Sequence, residues 1–246
     1  MDKAYEQKYH DLERNEWWFK MRRQMVQQLM KGGTNQKILD IGCASGLLLE
    51  NLEASGFDHS NLYGIDVSEE SIQKCQAKGF TNTWVMDGTQ ITLEKGSFDI
   101  LVASDCLEHI EQDTKALDNW LSLLKPNGQL IVFVPAFMFL WSGHDVVNHH
   151  FRRYTKTELV HKIQNANFKI IRSGYWNVLL FFPITAIRLL KKLITSKESI
   201  PQSDLAQTPS TVNAILSLLL KIENWFIAKG LNFPFGVSTF CIAEKR

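Results

Sequence analysis

The residues best suited to chemistry fall into two constellations. The first begins with Ile38-Leu39-Asp40-Ile41-Gly42-Cys43-Ala44-Ser45-Gly46-Leu47, where an apolar run enters a glycine-containing turn and opens into a helical pattern. Gly42 and Gly46 let backbone come close to a ligand, and a helix N-terminus favours negative charge beside it. A second apolar run ends at Asp66, followed by Val67; a carboxylate there can accept both ribose hydroxyls of a nucleoside. A third ends in Val85-Met86-Asp87-Gly88, where Asp87 can meet an adenine amino group. Each piece is ordinary alone, since Asp66 could simply cap the helix that starts near Ser68. Their order and spacing are what point to a nucleoside site.

The second constellation is Trp141-Ser142-Gly143-His144-Asp145, then His150-Phe151-Arg152-Arg153-Tyr154-Thr155. Imidazole titrates near neutral pH, so His150 is the first candidate for a general base, with Asp145 to orient it and Tyr154 beside them. His109 is the second candidate base. Arg152 and Arg153 suit a phosphate or carboxylate, and Trp141 completes an acceptor-binding set. A metal site built on His144, His149 and His150 is not expected, because adjacent residues point their rings apart.

The elements that must position these groups alternate. β-rich runs at 37–41, 62–65, 83–86, 98–103 and 129–134 are separated by helical spacing at 47–54 and 68–78. Such alternation predicts a parallel sheet covered on both faces, with ligands at the carboxyl ends of its strands. Pro126-Asn127-Gly128 reads as a turn before the fifth run. A helix over 154–165, with Thr155 and Glu158 spaced as a capping box, leads to a sixth run at 168–173, and 237–243 reads as a seventh. Residues 3–31 read as one or two helices carrying Trp17-Trp18-Phe19. Two apolar segments, 176–194 and 212–227, flank a polar stretch at 196–211. Both are interrupted by charge short of the roughly twenty apolar residues that a span requires, so they read as amphipathic helices.

On these motifs the chain resembles the class I S-adenosylmethionine-dependent methyltransferases. Asp40-x-Gly42-x-Ala44-x-Gly46 stands for that family's acidic-x-Gly-x-Gly-x-Gly loop, with Ala44 replacing the middle glycine. Phe98-Asp99-Ile100 and Ser104-Asp105-Cys106-Leu107-Glu108-His109 match its fourth-strand motif, whose Leu-Glu-His ending is frequent among relatives of ubiquinone-biosynthesis methyltransferases. The resemblance implies a Rossmann-like, seven-stranded doubly wound α/β sheet with an antiparallel last strand, and S-adenosylmethionine as cofactor. Asp40 and Gly42, Cys43, Ala44, Ser45 and Gly46 would line the methionine part. Asp66 and Val67 would hold the ribose, Asp87 and Gly88 would flank the adenine, and Ser104 would sit beside the methionine moiety. The Asp…His-x-Arg-Arg-Tyr pattern resembles a narrower bacterial subgroup with apolar C-terminal helices, associated with envelope glycolipid or polyprenyl-linked acceptors. The implied organisation is a helical lid (1–34), a cofactor-binding core (35–175), an apolar helical insertion (176–230) and a final strand (235–246).

The rival nicotinamide-dependent oxidoreductase needs Gly-x-Gly-x-x-Gly, and Ala44 and Leu47 occupy its second and third glycine positions. A cofactor-binding regulatory module without turnover remains a third class. Four scattered cysteines, with no CxxC pair, and a polar start fit a cytoplasmic protein rather than a disulfide framework. Between Phe151 and Lys197 ten Lys/Arg face one acid, within a chain whose net charge is only +1. That asymmetry suggests an anionic partner. No nucleic-acid signature stands out. The expected acceptor is a small or lipid-linked hydroxyl compound. Arg188, Lys191 and Lys192 beside an apolar helix make an anionic membrane surface a candidate partner on the cytoplasmic face. No oligomeric state is implied.

Overall fold

A computed structural model describes residues 10–194 and 207–246. Residues 3–9 of the expected N-terminal helices, Lys197 and most of the 196–211 stretch lie outside that description, as do the side chains of Lys191 and Lys192. Seven strands form one sheet: β1 (Ile38–Ile41), β2 (Leu62–Asp66), β3 (Thr83–Val85), β4 (Phe98–Ser104), β5 (Leu124–Pro135), β6 (Phe168–Trp176) and β7 (Ser238–Lys245). Their order is β3-β2-β1-β4-β5-β7-β6. The first five run parallel, and β7 lies antiparallel between β5 and β6.

The sheet is buried on both faces, and the two-residue period of each strand divides its side chains between two cores. Leu39, Leu101, Ala103, Val132 and Val134 face one way. There they meet Ala116, Leu117 and Trp120 of α4 (Asp113–Leu123) and Leu159 and Ile163 of α6 (Lys156–Asn165). Ile38, Ile100, Val102, Ile131 and Phe133 face the other way, against α1 (Trp17–Leu29), α2 (Leu47–Ala54), α3 (Glu69–Ala77) and α8 (Ser210–Ala228). Two further helices are α5 (Gly143–Val147) and α7 (Phe181–Ile194). Thr155 and Glu158 form the expected capping box at the start of α6.

Two boundaries differ from expectation. Pro126-Asn127-Gly128 does not precede β5 but lies within it. Asn127 takes a left-handed φ of +61°, and the pairing with β4 shifts register between Phe98 and Ile100, so the strand absorbs the turn as an irregularity. The first apolar segment is not one helix from residue 176. Trp176 pairs with Ser238 as the last residue of β6, Asn177 has φ +61°, and α7 begins only at Phe181.

By length and composition α8 alone among the described helices could cross a membrane, yet one side of it is bound into the fold. Asn224 accepts a hydrogen bond from Trp176 Nε1 (2.7 Å) and donates to the Met21 carbonyl (2.9 Å). The buried Glu223 carboxylate accepts from the backbone N–H groups of Asn177 and Val178, just before α7. Its other side carries Val212, Ile215, Leu218, Ile222 and Trp225, all exposed.

Candidate active site

A cavity of about 1490 Å³ opens at the carboxyl ends of the parallel strands. Gly42 and Ala44, Asp66 and Val67, Asp87 and Gly88, and Asp105, Cys106, Glu108 and His109 reach it from successive strand ends. This is the rim where a doubly wound sheet binds ligands. Trp17, Trp18 and Phe19 of α1 cover one side, and Ile184, Ile187, Arg188 and Leu216 of the two apolar helices form another.

The first turn is built by the β1–β2 pairing. Gly42 and Cys43 donate to the Ile65 carbonyl, and Asp66 accepts from the backbone N–H groups of Ala44 (2.9 Å) and Ser68 (2.9 Å). Asp66 therefore fixes the glycine turn and also faces the cavity. Gly42 has φ +78°, and a Cβ there would come within 3.1 Å of Cys106. Ala44 keeps the left-handed conformation of the glycine it replaces, with φ +46°, so its small size does not remove the backbone cost. Asp87 is held below the usual carboxylate range by the backbone N–H and hydroxyl of Thr89. Trp120 Nε1 donates to the Gly88 carbonyl at 2.8 Å and ties that loop to α4.

Not every expected cofactor residue lines the cavity. Cys43 is buried behind the turn, Ser45 donates to Glu13 (2.7 Å), and Gly46 packs against Cys75 as it starts α2. Asp40 lies beneath the loop, and burial, followed by the carboxylates of Glu13 and Asp66, raises its pKa to about 8. Ser104 ends β4, and its neighbour Asp105, with φ +53°, lines the cavity instead.

Asp105 is held by Arg22, whose Nη1 lies 3.0 Å from both carboxylate oxygens. The Arg22 guanidinium is buried against the rings of Trp18, Phe133 and Trp176 and donates to Ser238 Oγ. The role of Arg22 is not among the sequence expectations. Its signal was a guanidinium one helical turn beyond Trp18, spaced to stack on it.

The loop after β5 brings His150 to the cavity. Its Nδ1–H donates to Asp145 at 2.9 Å, leaving Nε2 as the ring's acceptor nitrogen. Asp145 is fully buried and also receives Arg153 Nε (2.7 Å) and Nη2 (3.0 Å). Despite the cost of burial, the His150 hydrogen bond and the Arg153 charge hold Asp145 well below the usual carboxylate range. Phe151 N–H donates to the Glu108 carbonyl, which pins this loop to the end of β4. The His109 ring stands 4.5 Å from that of His150. Burial, then the His150 charge, lowers its pKa to about 3, so it is neutral. Both oxygens of the fully buried Glu108 carboxyl lack a hydrogen-bond partner, and burial and then Asp105 raise its pKa well above the ordinary range.

Four acceptor-side expectations need correction. Arg153 cannot reach out to a phosphate, because its guanidinium is buried on Asp145 and the Ala136 carbonyl. Arg152 is away from the cavity lining, paired with Asp113 and the Glu111 carbonyl. Tyr154 donates its hydroxyl to Asp113 (2.9 Å) in the core, and burial pushes its pKa up. Trp141 is not among the lining residues either. His144, Phe151 and Arg188 take their places. Arg188, half-buried, donates to the Leu140 carbonyl (2.7 Å) and lines the cavity.

Comparison with known proteins agrees with this architecture. Residues 14–173 match a family described as a methyltransferase domain. The ubiquinone biosynthesis O-methyltransferase of Histophilus somni is 30% identical over 119 residues, covering 44% of this chain and 49% of that protein. That of Actinobacillus pleuropneumoniae is 26% identical over 172 residues, covering 61% and 72%. The chain thus spans about half the length of the first relative. A SAM-dependent methyltransferase structure from Archaeoglobus fulgidus superposes with a TM-score of 0.61 at 17% identity, covering 99% of this chain and all of that one, which is a likeness of fold.

Proposed function

The chain belongs to the class I S-adenosylmethionine-dependent methyltransferases, and from that premise we propose that it methylates a hydroxyl oxygen of a small or lipid-linked acceptor. One observation carries the acceptor side. His150, aligned by a buried carboxylate, presents its acceptor nitrogen to the same cavity that Asp66 and Asp87 face. S-adenosylmethionine supplies a methyl group made electrophilic by its sulfonium.

In this reading the strand-end groups hold the cofactor. Gly42 and Ala44 admit its methionine part, Asp66 with Val67 takes the ribose hydroxyls, and Asp87 with Gly88 flanks the adenine. Asp105 and Cys106 sit where Ser104 was expected, beside the methionine moiety. The helical lid, with Trp17, Trp18 and Phe19, excludes water and holds donor and acceptor in line. Positioning of this kind supplies most of the acceleration of a simple displacement. His150 meets the acceptor hydroxyl and, through Nε2, takes its proton.

The apolar walls favour an acceptor with a hydrophobic portion, since Ile184, Ile187 and Leu216 line the cavity while the outer face of α8 exposes an apolar stripe. Among the described residues of α8 and the turn after it, the exposed charges are Lys221 and Lys229, both cationic. An apolar stripe flanked by lysines suits a helix lying on an anionic lipid surface. The test is transfer of label from methyl-labelled S-adenosylmethionine into a lipid extract. His150→Ala should lower transfer about 100-fold or more while leaving S-adenosylhomocysteine affinity nearly intact. Unchanged transfer in that variant would remove His150 from the chemistry.

A further inference from the structure

Glu108, His109 and His150 converge on one corner of the cavity, and their ligand-type atoms all lie within 4.8 Å of one another. Three features set this corner apart from a chance cluster. The Glu108 carboxyl is fully buried and lines the cavity, yet neither of its oxygens has a hydrogen-bond partner. A buried polar group without a partner is costly, more so when it is charged, so its retention calls for a ligand. His150 is oriented through Nδ1 by Asp145, which is the carboxylate–histidine arrangement that fixes a ligating imidazole and leaves Nε2 free for a metal. The His109 ring lines the cavity with its centroid 4.5 Å from that of His150, so the two imidazoles stand side by side at this corner.

We propose that Glu108, His109 and His150 bind a divalent transition-metal cation at the acceptor end of the cavity. The donor set, two imidazoles and one carboxylate, selects zinc, cobalt, iron or manganese over magnesium or calcium, which prefer all-oxygen sites. The neighbouring cations do not fill this role. Arg22 is committed to Asp105 and Arg153 to Asp145. A bound cation neutralises Glu108, and its remaining positions face the cavity. An acceptor hydroxyl bound there loses its proton to solvent more readily, and its oxygen is then free to take the methyl group as the carbon–sulfur bond breaks toward sulfur. The proposal rests on the reading above for the acceptor and assigns His150 Nε2 to the cation, so that with the cation bound solvent, not His150, takes the proton. Cation binding itself is measured without turnover.

The experiment is calorimetric titration of Zn²⁺ into the metal-depleted full-length protein, with S-adenosylhomocysteine titrated into the same samples. One equivalent of Zn²⁺ should bind. Glu108→Gln, His109→Gln and His150→Gln should each weaken it at least about tenfold. His59→Gln, on the surface and paired with Glu53, should change nothing. If Glu108→Gln fails to fold, the two histidine variants decide. Absence of stoichiometric binding, or binding indifferent to the triad variants, overturns the metal site even where S-adenosylhomocysteine binds normally. Loss of S-adenosylhomocysteine binding in the wild type would instead strike the cofactor reading and leave the Zn²⁺ result to stand by itself.

Discussion

At the scale of single residues, backbone and burial decide what side-chain type suggests. Ala44 holds a left-handed φ that costs an L-residue roughly 1–2 kcal/mol, part of which glycine returns as unfolded-state entropy. Ala44→Gly should therefore raise stability by about 0.5–1 kcal/mol in urea denaturation. Asp40 carries a pKa raised to about 8, so folding disfavours its charged form. Its contribution is least unfavourable below the unfolded carboxyl range near pH 4, worsens as pH rises from about 4 to about 8, and is level above that. Asp40→Asn should accordingly gain on the wild type in thermal melts between about pH 5 and pH 9. Arg153→Leu leaves the buried Asp145 carboxylate without its guanidinium and should cost about 3–5 kcal/mol of stability. An acceptor-gripping arginine would have shown its loss in KM with the melting temperature unchanged. The Asp66, Asp87 and His150–Asp145 placements were legible because strand ends and a single loop fix them. Arg152, Arg153 and Tyr154 were misread because the sequence does not say which side of a loop faces the core. The ten Lys/Arg between residues 151 and 197 illustrate the same point, since Arg152 and Lys162 share Asp113, and Arg153 is buried.

At the scale of elements, the strand periodicity fixed the sheet and its two cores, and the irregular joints lay beyond it. Asn127 and Asn177 take left-handed conformations that local pattern reads as a turn or as helix, whereas pairing in the sheet makes them part of, or the end of, a strand. Residues 3–9 and 195–206 lie outside the described structure. For α8, the apolar pattern hid two polar anchors. Asn224 and Glu223 are buried beside Leu220 and Ile227, and they dock the helix on Trp176, Met21 and the chain entering α7. Asn224→Ala strands the Trp176 indole N–H and the Met21 carbonyl and should cost about 2 kcal/mol or more. Limited proteolysis should then cut within 207–230 faster than in the wild type, while β1–β5 stay protected.

At the scale of the whole molecule, the strand-end rim, α1 and the two apolar helices surround one cavity. The exposed stripe on α8, with Lys221 and Lys229, predicts sedimentation with anionic vesicles that exceeds that with zwitterionic ones and weakens with salt. Ile215→Asp with Trp225→Asp should abolish it without lowering cofactor affinity; a protein that stays in the supernatant with every lipid mixture would leave the stripe to a second copy or another partner. Binding of S-adenosylmethionine at the strand-end rim is measured by calorimetry. S-adenosylhomocysteine should bind the wild type, and Asp66→Asn should weaken it by about 1.5–3 kcal/mol, the range for lost hydrogen bonds to a charged group. A wild type that binds NAD and ignores S-adenosylhomocysteine would rule out the methyl-donor site, and an Asp66→Asn variant that folds and binds with undiminished affinity would remove Asp66 from the ribose.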